Sequence, residues 1–249
     1  MSHLRIIPSK PALVLEGAEK SIIATDMHIG FETSLATNEI FIGRNSSINE
    51  TIAEISEIID SERPDSLILL GDIKSSIKSI SKSEWDEVPL FFEEIKKKCH
   101  IVLIPGNHDA NIARLVPDEV SMISSAGMVQ DNILLTHGHT MPSENFSHVD
   151  KIVMGHVHPV FFDEGSILNG QRVWISLKTS KENIFPNKSG EIEITIMPSF
   201  NRYFYATHKR KYKKSISPIV EKIKDVSSAR IVTLDGTIIG DESMISQVL

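Results

Sequence analysis

Nine short apolar runs set the pattern of this chain, and more than half of them stop abruptly at Asp, Asn or His. They cover residues 12–17, 21–26, 66–72, 100–106, 132–138, 151–156, 172–177, 191–197 and 230–236. Each has strand length and the β-branched content that suits a pleated, packed surface. Among the early runs, Ile48, Ile52, Ile55 and Ile59 recur at helical spacing, and residues 82–98 set Trp85, Val88, Phe91, Phe92 and Ile95 on one helical face. Strands alternating with helices, followed by a strand-rich half, predict an α/β layered core to which the second half adds antiparallel strands. The stretch "GAEK" at 17–20 predicts a hairpin between the first two strands.

A chain of 249 residues, 41% hydrophobic and 24% charged, can bury a substantial core. Its formal charge of −7 and pI near 5.8 argue against a general electrostatic grip on nucleic acid or anionic membrane, which needs a basic face. One basic stretch stands out, "HKRKYKK" at 208–214, read as a solvated loop or arm. Residues 201–230 are therefore expected to form an insertion before a last hairpin, within a single domain spanning 1–249. Cys99 is the only cysteine, which excludes an intramolecular disulfide and a cysteine-based metal cluster. No apolar run reaches the roughly 18 residues of a membrane span, and the first 17 residues lack a signal-peptide core. The expectation is a soluble, cytoplasmic protein without a membrane partner.

Ten histidines are present, and six of them (His28, His108, His137, His139, His156 and His158) fall in four stretches at predicted strand ends. These are "ATDMHIG", "IPGNHDA", "LTHGHT" and "MGHVHPV"; "LLGDIK" has the same form with an aspartate. A single such ending reads as an ordinary satisfied polar residue, but five in one chain point to convergence. Asp26 and His28, like His156 and His158, are two apart, so in an extended segment each pair projects to one side. Ligands of α/β sheets bind outside the carboxyl ends of the strands, and the five endings predict one polar crevice there. Imidazole combined with carboxylate and amide oxygen suits Mn, Fe, Zn or Ni better than Mg or Ca. Asp26, His28, Asp72, Asn107, His137, His156 and His158 are more donors than one ion takes, and suit two ions sharing a carboxylate. Such a pair, about 3.5–4 Å apart, activates water and clamps a phosphate ester.

In their order along the chain, Asp26-x-His28, Gly71-Asp72, Gly106-Asn107-His108-Asp109, His137 and Gly155-His156-Val157-His158 resemble the motifs of the calcineurin-like metallophosphoesterase superfamily. The flavour of "MHIGFE", "LLGDIK", "GHVHP", "MPSFN" and "LDGTIIG" resembles in particular the archaeal Icc-like phosphoesterases, relatives of the DNA ligase-associated metallophosphoesterases. The resemblance implies a four-layer α-β-β-α sandwich of two mixed sheets flanked by helices. It implies one metal held by Asp26, His28, Asp72 and His158, and a second held by Asp72, Asn107, His137 and His156. The expected ions are two Mn²⁺, with Fe, Ni or Zn as alternatives, and a hydroxide bridging them attacks the phosphorus. His108 then stands free of metal at the phosphate, protonating the leaving group or stabilising the transition state, with Asp109 orienting and charging it.

The function so implied is a metal-dependent hydrolase of phosphate esters, foremost a phosphodiesterase. A phosphomonoesterase, a nuclease or a repair-associated phosphoesterase acting on nucleotide or nucleic acid would use the same crevice. A non-catalytic binding module on the same fold is disfavoured because every ligand position is filled. Three residues depart from the pattern or lie outside it. Lys74 follows Gly-Asp where many superfamily members carry a polar or acidic residue a few places on, and is read as solvated or as a phosphate contact. His139 is read as a supporting or loop residue, and Arg44 as a loop residue facing the crevice.

Overall fold

The computed structural model describes residues 3–32, 46–163, 165–203 and 217–248. Arg44 and the basic run Lys209 to Lys214 lie outside the described residues. The first sheet runs β1 (His3–Ile6), β2 (Leu13–Glu16), β3 (Lys20–Ala24), β4 (Ser66–Leu70), β5 (His100–Ile104) and β6 (Ser121–Met122), neighbours in space as in sequence. The first three strands form an antiparallel meander, whose hairpin pairs Glu16 with Lys20 as "GAEK" predicted. From β3 onward the pairing is parallel. Parallel neighbours need crossovers, and helices α1 (Ser46–Glu62) and α2 (Lys82–Ile95) supply the first two.

The second sheet is ordered β14 (Ile238–Gly240), β13 (Ser228–Thr233), β11 (Gln171–Ser180), β12 (Glu191–Ile196), β9 (Lys151–Met154), β8 (Ile133–Thr136) and β7 (Met128–Gln130). The short β10 (Val160–Phe161) pairs with β11. Strands β8, β9 and β12 are mutually parallel, whereas β11 is antiparallel to both β12 and β13, the late antiparallel addition expected of the second half.

Alternation within the strands shows why two sheets stack. Leu13, Leu15, Ile23, Ile68, Leu70 and Ile104 of the first sheet meet Ile133, Leu135, Val153 and Trp174 of the second in one buried cluster. Their alternates Val14, Ile22, Leu67, Leu69, Ile101 and Leu103 face the other way, against Ile48, Ile55, Ile59, Val88, Phe91, Phe92 and Ile95 of the two helices. A strand buried on both faces reads as a continuous apolar run, which is how β3, β4 and β5 read in sequence. The outer face of the second sheet packs on Ile184, Phe185, Val248 and Ile219 of the short helix α3 (Pro218–Lys222), so the fourth layer is thin. One helical expectation shifts. Trp85 is 47% exposed, and Glu84 occupies the buried stripe with Val88, Phe91 and Ile95 instead. None of the described helices is long and apolar enough to cross a membrane.

Candidate metal centre

The carboxyl ends of β3, β4 and β5 from one sheet and of β8 and β9 from the other converge, so the crevice forms between two sheets and not along one. Immediately beyond these ends the backbone leaves the extended region. Asp26, His28, Asp72, His156 and His158 have φ of 57°, 42°, 51°, 68° and 50°. A left-handed residue other than glycine carries a cost of about 1–2 kcal/mol. The Asp26/His28 and His156/His158 pairs therefore reach the site from tight left-handed turns, which corrects the expectation of extended segments.

These turns hold because their polar backbone groups are taken up. Asp26 N–H donates to Gly71 O, His28 N–H to Asp72 O at 2.9 Å and Ile29 N–H to Ile73 O at 2.8 Å, lacing the loops after β3 and β4 together. From the other side comes the segment after β12. Ser199 Oγ donates to Asp26 O at 3.0 Å, Asn201 Nδ2 to Met27 O at 3.0 Å, and Phe200 N–H to Thr25 O at 2.9 Å. Ser199 and Asn201 are buried. The run "MPSFN" was legible as a family-like flavour, but its task of holding the first metal-binding turn was not.

Asp26, His28, Asp72 and His158 present donor atoms that all lie within 4.8 Å of one another, and Asp72, His137 and His156 form a second such group. Asp72 belongs to both. In the first group, His158 Nε2 lies 3.0 Å from Asp26 Oδ1 and 3.3 Å from His28 Nε2. In the second, His137 Nδ1 donates to Leu70 O at 2.7 Å, which leaves Nε2 directed at Asp72 Oδ1 and Asn107 Oδ1, each 3.3 Å away. Each of the seven expected ligands thus reaches the crevice. The donor chemistry fits divalent metal: two ring nitrogens facing each other at 3.3 Å share at most one proton between them, and buried carboxylates crowd beside them.

Electrostatics favour that fit at two of the rings and place on a third, His137, a proton that a metal ion would displace. Burial, reinforced by the neighbouring His158 ring, pulls His28 down to about 3, and burial with His137 pulls His156 down to about 4. Both imidazoles are thereby kept in the neutral, donating form. Burial opposes charge on His137 too, but the Asp72 and Asp26 carboxylates outweigh it and raise His137 to about 9. Burial would raise Asp26, yet the facing His158 and His137 hold it down at about 2. His139 is half-buried with its ring centroid 5.1 Å from that of His137, and it belongs to neither donor group.

Close approach explains the glycine before Asn107. A Cβ on Gly106 would stand 2.6 Å from Asp72 N and 2.8 Å from His137 Nε2. Gly106→Ala is accordingly expected to weaken metal binding about tenfold or more, measured by titration calorimetry. Unchanged affinity would show that the loop yields freely.

The Gly-Asn-His-Asp turn differs from expectation in one respect. Asp109 does not back His108: its Oδ1 accepts from Ile73 N–H at 2.9 Å and Lys74 N–H at 3.3 Å, and its Oδ2 from Gly106 N–H at 2.8 Å. Asp109 pins two loops together, and burial, with Asp72 nearby, raises it to about 6. His108 instead donates from Nδ1 to the carbonyl of Ser75 at 2.5 Å, with Nε2 3.8 Å from Asp72 Oδ2. Lys74 also departs from both earlier readings. It is fully buried and donates to the carbonyls of Ser76 and Ser79.

With the fold and donor groups established, comparison with known proteins places the chain. Residues 20–181 match the family model described as calcineurin-like phosphoesterase, and the chain belongs to that family. A solved structure titled as the nuclease MPE of Pseudomonas putida is similar over 94% of this chain and 98% of its own, at 17% identity and a TM-score of 0.53. A second, titled as Yfce, a phosphoesterase from E. coli, covers 89% of this chain and 97% of its own at 16% identity and a TM-score of 0.39. No curated protein sequence matches significantly. The chain is a member of a metal-dependent phosphoesterase family with a buried Asp/His donor cluster in place.

Proposed function

We propose that this chain is a phosphodiesterase that uses two divalent ions, Mn²⁺ foremost, one held by Asp26, His28, Asp72 and His158 and the other by Asp72, Asn107, His137 and His156. The observation that carries the reading is the sharing of buried Asp72 between two donor groups, with the His108 ring beside them and still partly open to solvent. When bound, the ions supply a nucleophile from water at neutral pH and neutralise charge on the phosphate. The chain's own part is placement and proton delivery. With Nδ1 committed to Ser75 O, His108 presents Nε2 to the crevice. A proton held there is available to the leaving oxygen, while the bond to the Ser75 carbonyl fixes the orientation of the ring.

Charge supports a diester over a monoester. A diester carries one negative charge at neutral pH and a monoester close to two. Lys74, the cation next to the ligands in sequence, donates to the carbonyls of Ser76 and Ser79, and although the charges of Asp109 and Asp72 act on it, among the described residues no lysine or arginine forms a direct ion pair with Asp26, Asp72 or Asp109. Two divalent ions offset by Asp26, Asp72 and the hydroxide they would activate would leave a net charge of about +1, suited to the single charge of a diester. The test is a rate panel with Mn²⁺, Mg²⁺, Zn²⁺ and Ni²⁺ on bis-p-nitrophenyl phosphate, p-nitrophenyl phosphate, cyclic nucleotides and single- and double-stranded DNA and RNA. Mn²⁺-stimulated diester hydrolysis exceeding monoester hydrolysis is expected. Metal-independent turnover, or a preference for the monoester, overturns the reading.

A further inference from the structure

The loop from Ser75 to Ser81 runs beside the metal centre and is gripped by two fully buried charged side chains. Lys74 Nζ donates to the Ser76 carbonyl and, at 3.2 Å, to the Ser79 carbonyl. Glu84 accepts from Ser76 N–H through Oε1 and from Ser81 N–H through Oε2, each at 2.6 Å. Burying two ions costs several kcal/mol apiece before their mutual attraction is counted, which is disproportionate for a surface loop. Starting α2 needs only half of the arrangement: Oε2 of Glu84 with the Ser81 side chain completes a capping box. The other carboxylate oxygen is aimed at Ser76. Gly30 makes room for it, since a Cβ there would sit 2.9 Å from Glu84 Cγ.

The N–H that Glu84 holds and the carbonyl that His108 meets belong to the same peptide group, the one joining Ser75 to Ser76. In a trans peptide these two groups point in opposite directions, so Glu84 and His108 bracket one peptide plane. A carboxylate on the N–H side polarises the group and makes its oxygen a stronger acceptor. Ser75 N–H, donating to Ile29 O at 3.0 Å, ties the preceding residue to the loop that carries His28.

We propose that Glu84 is a positioning residue for His108, acting through the Ser75–Ser76 peptide, with Lys74 fixing the far side of the same loop. A carboxylate thus supports the imidazole from one peptide bond away, while Asp109 is occupied elsewhere. The proposal rests on the reading of His108 as the proton donor to the leaving group, and the test separates the two. Glu84→Gln keeps a capping-box side chain but removes the charge; Lys74→Met removes the ammonium and keeps the stem. In the Mn²⁺-loaded enzyme, each is expected to lower kcat about tenfold or more, with little change in KM and two metal ions still bound. The loss is expected to be larger for an alkyl than for a p-nitrophenyl leaving group, and Glu84→Gln to add nothing in a His108→Ala background. In Zn²⁺-loaded protein the ¹⁵N resonances of His108 are expected to report a fixed Nδ1–H in the wild type and a loss of that preference in Glu84→Gln. If His108→Ala alone leaves kcat intact, the reading of His108 fails. If His108→Ala is impaired while Glu84→Gln retains wild-type kcat, or lowers kcat equally in both backgrounds, the positioning proposal fails.

Discussion

Asp72→Asn is expected to lose at least about a thousandfold in kcat and to bind no more than one divalent ion per chain. The size of the effect follows from Asp72 serving both donor groups while, among the described residues, no other does. Asparagine keeps the shape and one oxygen, so the bond that Asp72 Oδ1 now accepts from His108 N–H at 2.8 Å can survive. What goes is the negative charge between the two sites and the second donor oxygen. Metal linkage offers a readout independent of turnover. An ion at a hundred times its dissociation constant stabilises the fold by about 2.7 kcal/mol, which in a domain of this size raises Tm by roughly 5–10 °C. The wild type is expected to show that rise with Mn²⁺, and Asp72→Asn to lose most of it while its metal-free Tm changes less. Metal content by mass spectrometry completes the comparison. Two ions retained in Asp72→Asn, or turnover within tenfold of wild type, would remove Asp72 from its bridging role.

The residues that make this prediction possible were legible in sequence because chemistry, spacing and order coincide there. Seven donors at strand ends are improbable as ornament, and β-branched runs mark the strands that deliver them. The fold's two-sheet character came through less directly. Leu13/Val14 and Ile22/Ile23 are apolar on both faces, and an uninterrupted apolar run does not say whether its second face meets helices or another sheet. Only the resemblance to a known family supplied that. Backbone conformation was misread for a definite reason. A spacing of two suggests an extended segment, yet Asp26 and His28 both sit at positive φ, held there by carbonyl contacts from Ser199 and Asn201, over 170 residues away. Long-range hydrogen bonds leave no periodic trace. Asp109 and Glu84 show the same limit: adjacency suggested that Asp109 serves His108, whereas the carboxylate that reaches toward His108 comes from a helix and works through a backbone peptide. The buried glutamate takes the place in the apolar stripe of α2 that the spacing assigned to Trp85, so helical periodicity alone did not point to it.

His108→Ala separates proton delivery from metal binding. Its kcat is expected to fall by about a hundredfold to ten-thousandfold, the usual range for losing a general acid, with both ions still bound. Retention follows from His108 standing outside both donor groups. The fold is expected to tolerate the change, since the ring is partly exposed and leaves behind one acceptor, the Ser75 carbonyl. A lost hydrogen bond of this kind is worth about 1 kcal/mol, or roughly 2–4 °C in Tm. The Mn²⁺-induced rise in Tm should therefore persist in His108→Ala, in contrast to Asp72→Asn. Leaving-group dependence identifies the step. An alkoxide departs poorly without a proton and p-nitrophenolate departs readily, so the defect is expected to be far larger for alkyl than for p-nitrophenyl diesters. A uniform loss across leaving groups would assign His108 to charge stabilisation of the phosphate instead. Loss of a metal ion on substitution would make it a ligand, contrary to its placement beside Ser75.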